Sequence, residues 1–549
     1  MKNRKKFILI HVTILFFTTN FFGQNLELSI TSNEKNEKSV LNNIDYQKKH
    51  KNKSSIKLET QKITKHLKTI GYFTNKIDST VFKNKKAIIF FNLGKKIDYA
   101  VINISNIDKL LIKGFKITND SIKLPIKEVD FFLRKISQQL DNEGKSFSEV
   151  HLEETRVYKN YLLASLNIKE SEKRKIQKII IKGYEDFPRS FIRNYYKIDK
   201  DVIFNQKKIN RIYELTNQLN FIEQLKKPEV LFKPDSTHIY LYLRKKNNNS
   251  IDALLNFGSK ENGKLFFNGN LNLELNNTLN YGEGFKLIWN KIDENRQELN
   301  LSTKIPYFLK STISPEINFS LYRQDSSFVT TKLRSLIRYK LNSRNNFSIS
   351  YDIETSNNNS LTNTEIESYK NYFFGIGYEF QKKINPKSKI DFNISTEFGV
   401  RETVSKTKQQ KITSNISYTY TLNNRNHFYL ENNTGYLNSK NLLLNELFRI
   451  GGVNTIRGFN EQSIFTDKYS YFNIEYRHKT NTASYLYTIT DIGIYKHNLQ
   501  HNSILGLGLG YLYETKRYQI NLGIATGKMN KEKINFQNAK LLLSWKNYF

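Results

Sequence analysis

The chain contains no cysteine, so neither a disulfide nor a lipid on an amino-terminal cysteine can hold or anchor it. Beyond a short apolar stretch at the start, nothing approaches the run of about twenty apolar residues that a transmembrane helix needs. Site chemistry is equally sparse. The nine histidines fall into no His-Glu-x-x-His or comparable metal spacing, and no Gly-x-Ser-x-Gly elbow or phosphate-binding loop occurs. Gly506-Leu507-Gly508-Leu509-Gly510 stops short of a dinucleotide fingerprint, because Tyr511 stands where the third glycine belongs and no helical pattern follows. No enzyme activity, resident metal or cofactor is therefore expected. Acidic residues are in deficit, 51 against 86 basic ones, a net charge of +35. A nucleic-acid-binding chain would gather that charge into a stripe. Here lysine is spread along the whole length, which suits a solvated surface facing anionic lipid head groups better than a nucleic-acid partner.

What the chain does have is aromatic residues, 33 Tyr and 38 Phe against 2 Trp and 2 Met. Rings in that number suit β-strands and the interfacial girdles of membrane barrels. An apolar content of 38% is low for a helical membrane protein but ordinary for a barrel, whose strands turn only every second residue toward lipid. At 549 residues the chain exceeds one ordinary domain. It opens with Met1-Lys2-Asn3-Arg4-Lys5-Lys6, an apolar stretch over 7–17, and then Phe21-Phe22-Gly23-Gln24. Basic start, short apolar core and small residue describe a secretory signal peptide over 1–23, with cleavage near Gly23 although Phe21 is bulky for its position.

Between 24 and 246 one pattern recurs three times, over 24–96, 97–173 and 174–246. Each copy has an amphipathic helix: Ile56, Ile63, Leu67 and Ile70; then Val129, Phe132, Ile136 and Leu140; then Ile209, Ile212, Leu215 and Leu219. Two strand-like runs follow each helix, the second covering 88–93, 161–168 and 238–243, and copies two and three open with strands at 99–104 and 176–181. Such units pack one helical layer on a small sheet. They resemble POTRA domains, the periplasmic modules of outer-membrane assembly and secretion proteins. The third copy, with Ile179-Ile180-Ile181-Lys182-Gly183-Tyr184, fits best and the first least, and three unrelated α+β segments remain the alternative.

From 247 to 549 alternating runs are separated by Asn, Ser, Lys and Gly clusters. About sixteen such runs fill 251–549, at about nineteen residues each with the turn. Spanning strands need about 9–11 residues and bacterial barrels have even strand numbers. The pattern therefore predicts a transmembrane antiparallel barrel of about sixteen strands in a Gram-negative outer membrane, a soluble β-sandwich being the alternative. In the last run Leu541, Leu543, Trp545 and Phe549 share one face while Lys540, Ser544 and Lys546 share the other. A final strand ending on Phe resembles the targeting signal of outer-membrane barrels.

One long connection stands apart: Phe448-Arg449-Ile450-Gly451-Gly452-Val453-Asn454-Thr455-Ile456-Arg457-Gly458-Phe459. With the Gly451-Gly452 turn and the Arg457-Gly458-Phe459 tip, it resembles the sixth extracellular loop of the superfamily that includes BamA, TamA and the two-partner secretion transporters. The next strands carry Glu475, on the face opposite Phe472, Ile474 and Tyr476, and Asp491-Ile492-Gly493, like the family's Asp-x-Gly element. The resemblance implies that the loop folds into the barrel and that Arg457 pairs with Glu475 and Asp491. Gly506, Gly508 and Gly510 would present a bare lumenal face, read equally as room for that loop or for strand curvature. The function implied is assembly or insertion of unfolded outer-membrane or surface-protein clients, received on the repeats and released where the first strand (251–258) parts from the last (538–549), with accessory subunits as further candidate partners. The second reading is a two-partner secretion transporter, a type usually carrying two repeats and a plug helix. A barrel that merely conducts or anchors is the third.

Overall fold

The computed structural model describes residues 26–549 except 200, 235, 260–264, 293–294, 326, 343, 360–364, 386–387 and 498–499. The leader assigned to 1–23 lies outside them. The described residues fall into two compact units, one reaching to Lys175 and including Ile203–Lys208, the other made of Ile176–Val202 and Ile209–Phe549.

The first unit holds two small α+β sheets. In one, Leu26–Thr31 runs parallel to Lys86–Asn92, with Lys49–His50 and Lys76–Lys83 on the two edges. The helix Lys53–Thr69 starts where the Asn52 side chain accepts the Ser55 amide at 2.8 Å, satisfying a donor that the first turn leaves free. It buries Ile56, Ile63 and Leu67 with Leu28, Ile89 and Phe91 of the sheet. The other sheet has the order Ile117–Thr118, Ser121–Pro125, Tyr99–Asn103, Tyr161–Lys169, Glu149–Tyr158. Phe132, Ile136 and Leu140 of the helix Val129–Asn142 close its core against Ala100, Ile102 and Ile122.

The second unit opens with a third sheet, in which Lys175–Lys182 pairs in parallel with Thr237–Lys245. Its helix, Gln206–Thr216, buries Ile209, Ile212 and Leu215. Leu219 falls one turn beyond the helix end, where its amide reaches only the Thr216 carbonyl. This sheet is seated on barrel turns. The Tyr184 hydroxyl donates to Asn280 Oδ1 and accepts from Asn277 Nδ2, both at 2.7 Å. Phe191 packs edge-on against Tyr307 with ring centroids 4.9 Å apart, and any side chain at Gly282 would overlap the Phe191 ring. Tyr195 and Tyr196 bond to Leu215 O and Thr216 Oγ1, and burial pushes both phenols up, Tyr196 to about 12, so they stay protonated.

Sixteen antiparallel strands then close a barrel, as the alternation predicts. The period of two is plain in the seventh strand, Asn345–Asn358: Phe347, Ile349 and Tyr351 are exposed on the lipid side, and Ser350, Asp352 and Glu354 are buried inside. Strand lengths are uneven. The third strand, Gly284–Lys291, has 8 residues, whereas the eighth, Tyr369–Asn385, has 17 and the tenth, Lys406–Thr421, has 16. Spanning needs only about 9–11, so the long strands exceed what a span requires. The seam is the thinnest join. Among the described residues, the first strand (Ser250–Ser259) meets the last (Lys540–Tyr548) at Ser250–Tyr548, Ile251–Asn547 and Asp252–Lys546, with Ser544 Oγ on Asp252 at 2.9 Å and Lys546 Nζ on Glu274 at 3.1 Å.

Phe191 is 5% exposed, and truncating such a ring costs about 3–5 kcal/mol. Phe191→Ala should keep the heat-shifted gel mobility of the closed barrel while trypsin cuts faster within 176–246. Unchanged resistance there would mean that other contacts hold the third repeat.

Candidate functional site

Residues 440–467 connect the eleventh strand (Asn426–Ser439) to the twelfth (Lys468–Lys479). Within them Phe448–Ile450 pairs with Ile464–Thr466 as a two-stranded ribbon. Its tip is closed by its own residues: the Gly451 amide donates to the Thr455 side-chain Oγ1 at 2.8 Å and the Gly452 amide to the Ile456 carbonyl at 3.0 Å. Ile450, Ile456 and Ile464 are buried against Tyr471, Tyr495 and Ile504 of the barrel's inner wall, so the ribbon lies inside the lumen.

At the tip stands Arg457. Its Nε and Nη2 donate to Asp491 Oδ2 and Oδ1 at 2.9 and 2.6 Å, a two-pronged contact, and Nη1 donates to Glu475 Oε1 at 2.5 Å. Its backbone amide adds a further bond to Asp491 Oδ2 at 2.7 Å. The Asp491 side chain is fully buried, and those of Arg457 and Glu475 are 10% and 8% exposed. The second Glu475 oxygen is taken by Arg477 Nη2 at 2.8 Å. Charges this far from water attract strongly but have lost hydration to meet, so the arrangement is demanding in geometry.

Close approach explains two glycines beside it. A side chain at Gly506, on the fourteenth strand (Gln500–Glu514), would collide with the Arg457 carbonyl. Gly458 has φ +93° and sits against the Thr526–Gly527 backbone, where no Cβ fits. Phe459 packs over Gly527. The remaining wall glycines face elsewhere: Gly508 abuts Ile524 and Ala525, Gly510 the Tyr487 ring, and Gly493 the Tyr471 side chain. Gly506 alone of the Gly506-Gly508-Gly510 set thus makes room for the loop. In the last strand Leu541, Leu543, Trp545 and Phe549 are exposed on the lipid face, and the Phe549 amide donates to Asn249 O at 2.9 Å.

Three polar contacts to the loop carry no motif. Asn473 Nδ2 donates to Thr455 O at 2.7 Å, Gln462 Nε2 to Glu298 Oε2 at 2.6 Å, and Arg296 Nη1 to Glu461 O at 3.1 Å. Only Asn473 left a trace in the sequence, through its place on the same face as Glu475. The loop is thereby tied to the fourth strand (Arg296–Lys304) as well as to the twelfth and thirteenth (Ser484–His497), and it bridges the lumen.

The family model described as haemolysin secretion/activation protein ShlB/FhaC/HecB matches residues 238–512, half of the chain. The chain belongs to this family of two-partner secretion transporters. It is accordingly an outer-membrane protein. Among solved structures it is similar to CdiB from Escherichia coli, at 13% identity and TM-score 0.56, covering 89% of this chain and 96% of that one. CdiB from Acinetobacter baumannii matches at 14% identity and TM-score 0.54, over 82% and 89% of the two chains. BamA from Haemophilus ducreyi lacking POTRA domains 1–3 matches at 13% identity and TM-score 0.46, over 81% and 97%. At these identities the likeness to the two CdiB structures is one of fold. A sequence comparison with curated proteins returns no match.

Removing Arg457 would leave Asp491 charged and buried, at a cost of about 3–5 kcal/mol. Arg457→Ala should therefore free the tip to protease while the barrel stays assembled. Lys at 457 should restore the tip only in part, since a point charge cannot make the two-pronged contact. A double-mutant cycle with Asp491→Ala should show coupling of roughly 1–3 kcal/mol in heat stability. Strict additivity would show that the contact holds nothing.

Proposed function

We propose that the protein exports a polypeptide partner across the outer membrane, receiving it on periplasmic repeats and passing it through the lumen once the inserted loop moves aside. The observation that carries this reading is the loop itself, an element inserted in the lumen whose tip is held by ion pairs beside a small apolar patch. Beside it the lumen is largely polar. A cavity of about 360 Å³ is lined by Glu316, Arg334, Arg338, Glu379, Asn393 and Asn415, a surface along which an extended chain finds hydrogen bonds but no apolar trap. Family membership weighs toward export over insertion. The process asks for no catalytic residue and no nucleotide.

The first repeat suits reception best. Its edge strand, Lys76–Lys83, exposes Ile77, Val81 and Phe82, and a groove of about 520 Å³ runs between it and the helix Lys53–Thr69. An unpaired edge can take an added strand through main-chain bonds, with the groove accepting alternate side chains. Lys53, Lys57, Lys65 and Lys68 rim the groove and favour acidic client segments.

Insertion of barrel clients is the second reading, favoured by the short seam, where, among the described residues, the first strand pairs with the last only over Ser250–Asp252. Unpaired edges there could template a client strand. The two readings part in a strain lacking the protein. Export predicts the loss of one or a few polypeptides from the medium with a normal outer-membrane profile. A depleted outer-membrane profile with intact secretion would transfer the assignment to insertion. Deleting 24–246 behind the leader should leave an insertable barrel without export, and normal export in that strain would remove the receiving role.

A further inference from the structure

The root of the loop is held by a second buried ion pair of opposite polarity. As the chain turns inward it forms one short helical turn, Leu444–Glu446. Glu446 on the loop meets Arg401 on the ninth strand (Ser388–Glu402), with Nη1 2.7 Å from Oε1 and side chains only 4% and 2% exposed. Glu446 Oε2 accepts from Gln409 Nε2 of the tenth strand at 2.8 Å, and Oε1 accepts the Leu443 amide at 3.0 Å. The other arm of Arg401, Nη2, donates to the carbonyls of Lys440 and Asn441 at 3.2 and 2.8 Å. One guanidinium therefore fixes both the start of the loop and the turn that redirects it. Beside it Asn445 Nδ2 donates to Ser356 Oγ and Glu367 O at 2.8 and 2.9 Å, and the Asn445 carbonyl accepts the Tyr369 hydroxyl at 3.2 Å.

At the tip the arginine is on the loop and the carboxylates are on the wall; at the root the carboxylate is on the loop and the arginine is on the wall. The two clusters share no residue and stand on different strands, ninth and tenth against twelfth and thirteenth. Had both anchors carried the same charge on the loop, each could have occupied the other's site. Opposite charges forbid that slip. The root is also the more buried of the two, and it grips main-chain carbonyls as well as a side chain.

We propose that Arg401 and Glu446 form a positioning pair that serves as the hinge of the loop. The tip leaves Asp491 and Glu475 while the root stays on the ninth and tenth strands, so the plug swings aside as an arm and returns to its seat. This rests on the reading of the loop as the plug of an export barrel.

The cysteine-free chain allows clean single-cysteine reporters. Leu443→Cys reports the root and Ile456→Cys the tip, both side chains being buried. Each is labelled with a charged maleimide on the full-length protein in detergent, with no client present, so the readout does not depend on export. Arg401→Ala should speed labelling at 443 roughly tenfold or more and leave 456 slow. Arg457→Ala should do the reverse. Combining Arg401→Glu with Glu446→Arg should restore the slow labelling at 443 that either change alone loses. Heat-shifted gel mobility checks barrel assembly. Should Arg401→Ala fail to assemble, Glu446→Gln carries the same expectation. Slow labelling at 443 in every variant, or 443 and 456 opening together in both single variants, would overturn the hinge. Loss of the export reading alone would leave these rates as stated.

Discussion

No backbone amide or carbonyl can stay unpaired in hydrocarbon, and the rest of this structure follows from that constraint. Without disulfides, a chain that must pair every group between strands has one solution, a sheet closed on itself. Closure with a period of two sends half of each strand inward, so the lumen inherits Asp352, Glu354, Glu397 and Arg401 while lipid receives Phe347, Ile349 and Tyr351. The wall balances much of this charge itself. Arg334 meets Glu397 at 2.7 Å and Asp352 at 3.4 Å, Lys332 meets Asp352 at 3.1 Å, and Arg338 bonds Glu316 and Glu379. The constraint is relaxed at the seam, where, among the described residues, pairing of the first strand with the last stops at Asp252.

A lumen lined this way is either wet or filled, and here part of it is filled by the chain's own loop. Filling it with apolar residues alone would leave wall charges buried without partners, at several kcal/mol each. The loop instead brings complementary charges, Arg457 to the twelfth and thirteenth strands and Glu446 to the ninth, and neutral donors such as Gln462, whose side-chain amide meets Glu298 on the fourth. Its apolar residues, Ile450, Ile456 and Ile464, cover the patch of wall where Tyr471, Tyr495 and Ile504 would otherwise meet water.

The barrel was legible because strand alternation and a terminal aromatic strand are properties of short windows, which a sequence displays directly. The tip cluster was legible for another reason. Arg457, Glu475 and Asp491 were paired by resemblance to a known family's loop and Asp-x-Gly element, and the structure places the three within hydrogen-bond distance. The root cluster had no such marker. Arg401 and Glu446 lie 45 positions apart, one on an ordinary alternating strand and the other in a polar connection, and only the fold brings them together. The glycine row was half legible: the common face could be read, but which glycine met the loop depended on the register, which sets Gly506 beside Asp491. Strand length was the least visible. Nothing local tells Tyr369–Asn385 to run 17 residues.

Electrostatic anchoring also decides how such a plug can let go. A buried ion pair gains Coulomb energy and loses hydration in nearly equal amounts, so its net worth is small, although removing either partner alone is costly. A tip held by Arg457, Asp491 and Glu475 is therefore specific in position and cheap to exchange for water, provided water arrives at both sides together. An entering polypeptide in a polar lumen brings that water, and its own polar backbone can take up the freed donors and acceptors. An apolar plug of equal size would resist in proportion to its area, about 25 cal/mol per Å², with no group to which an incoming chain could offer a substitute. On the export reading, seal and release can thus belong to one element, because the ion pairs at its tip are contacts that a hydrated client can replace, leaving only the small patch under Ile450, Ile456 and Ile464 to be uncovered.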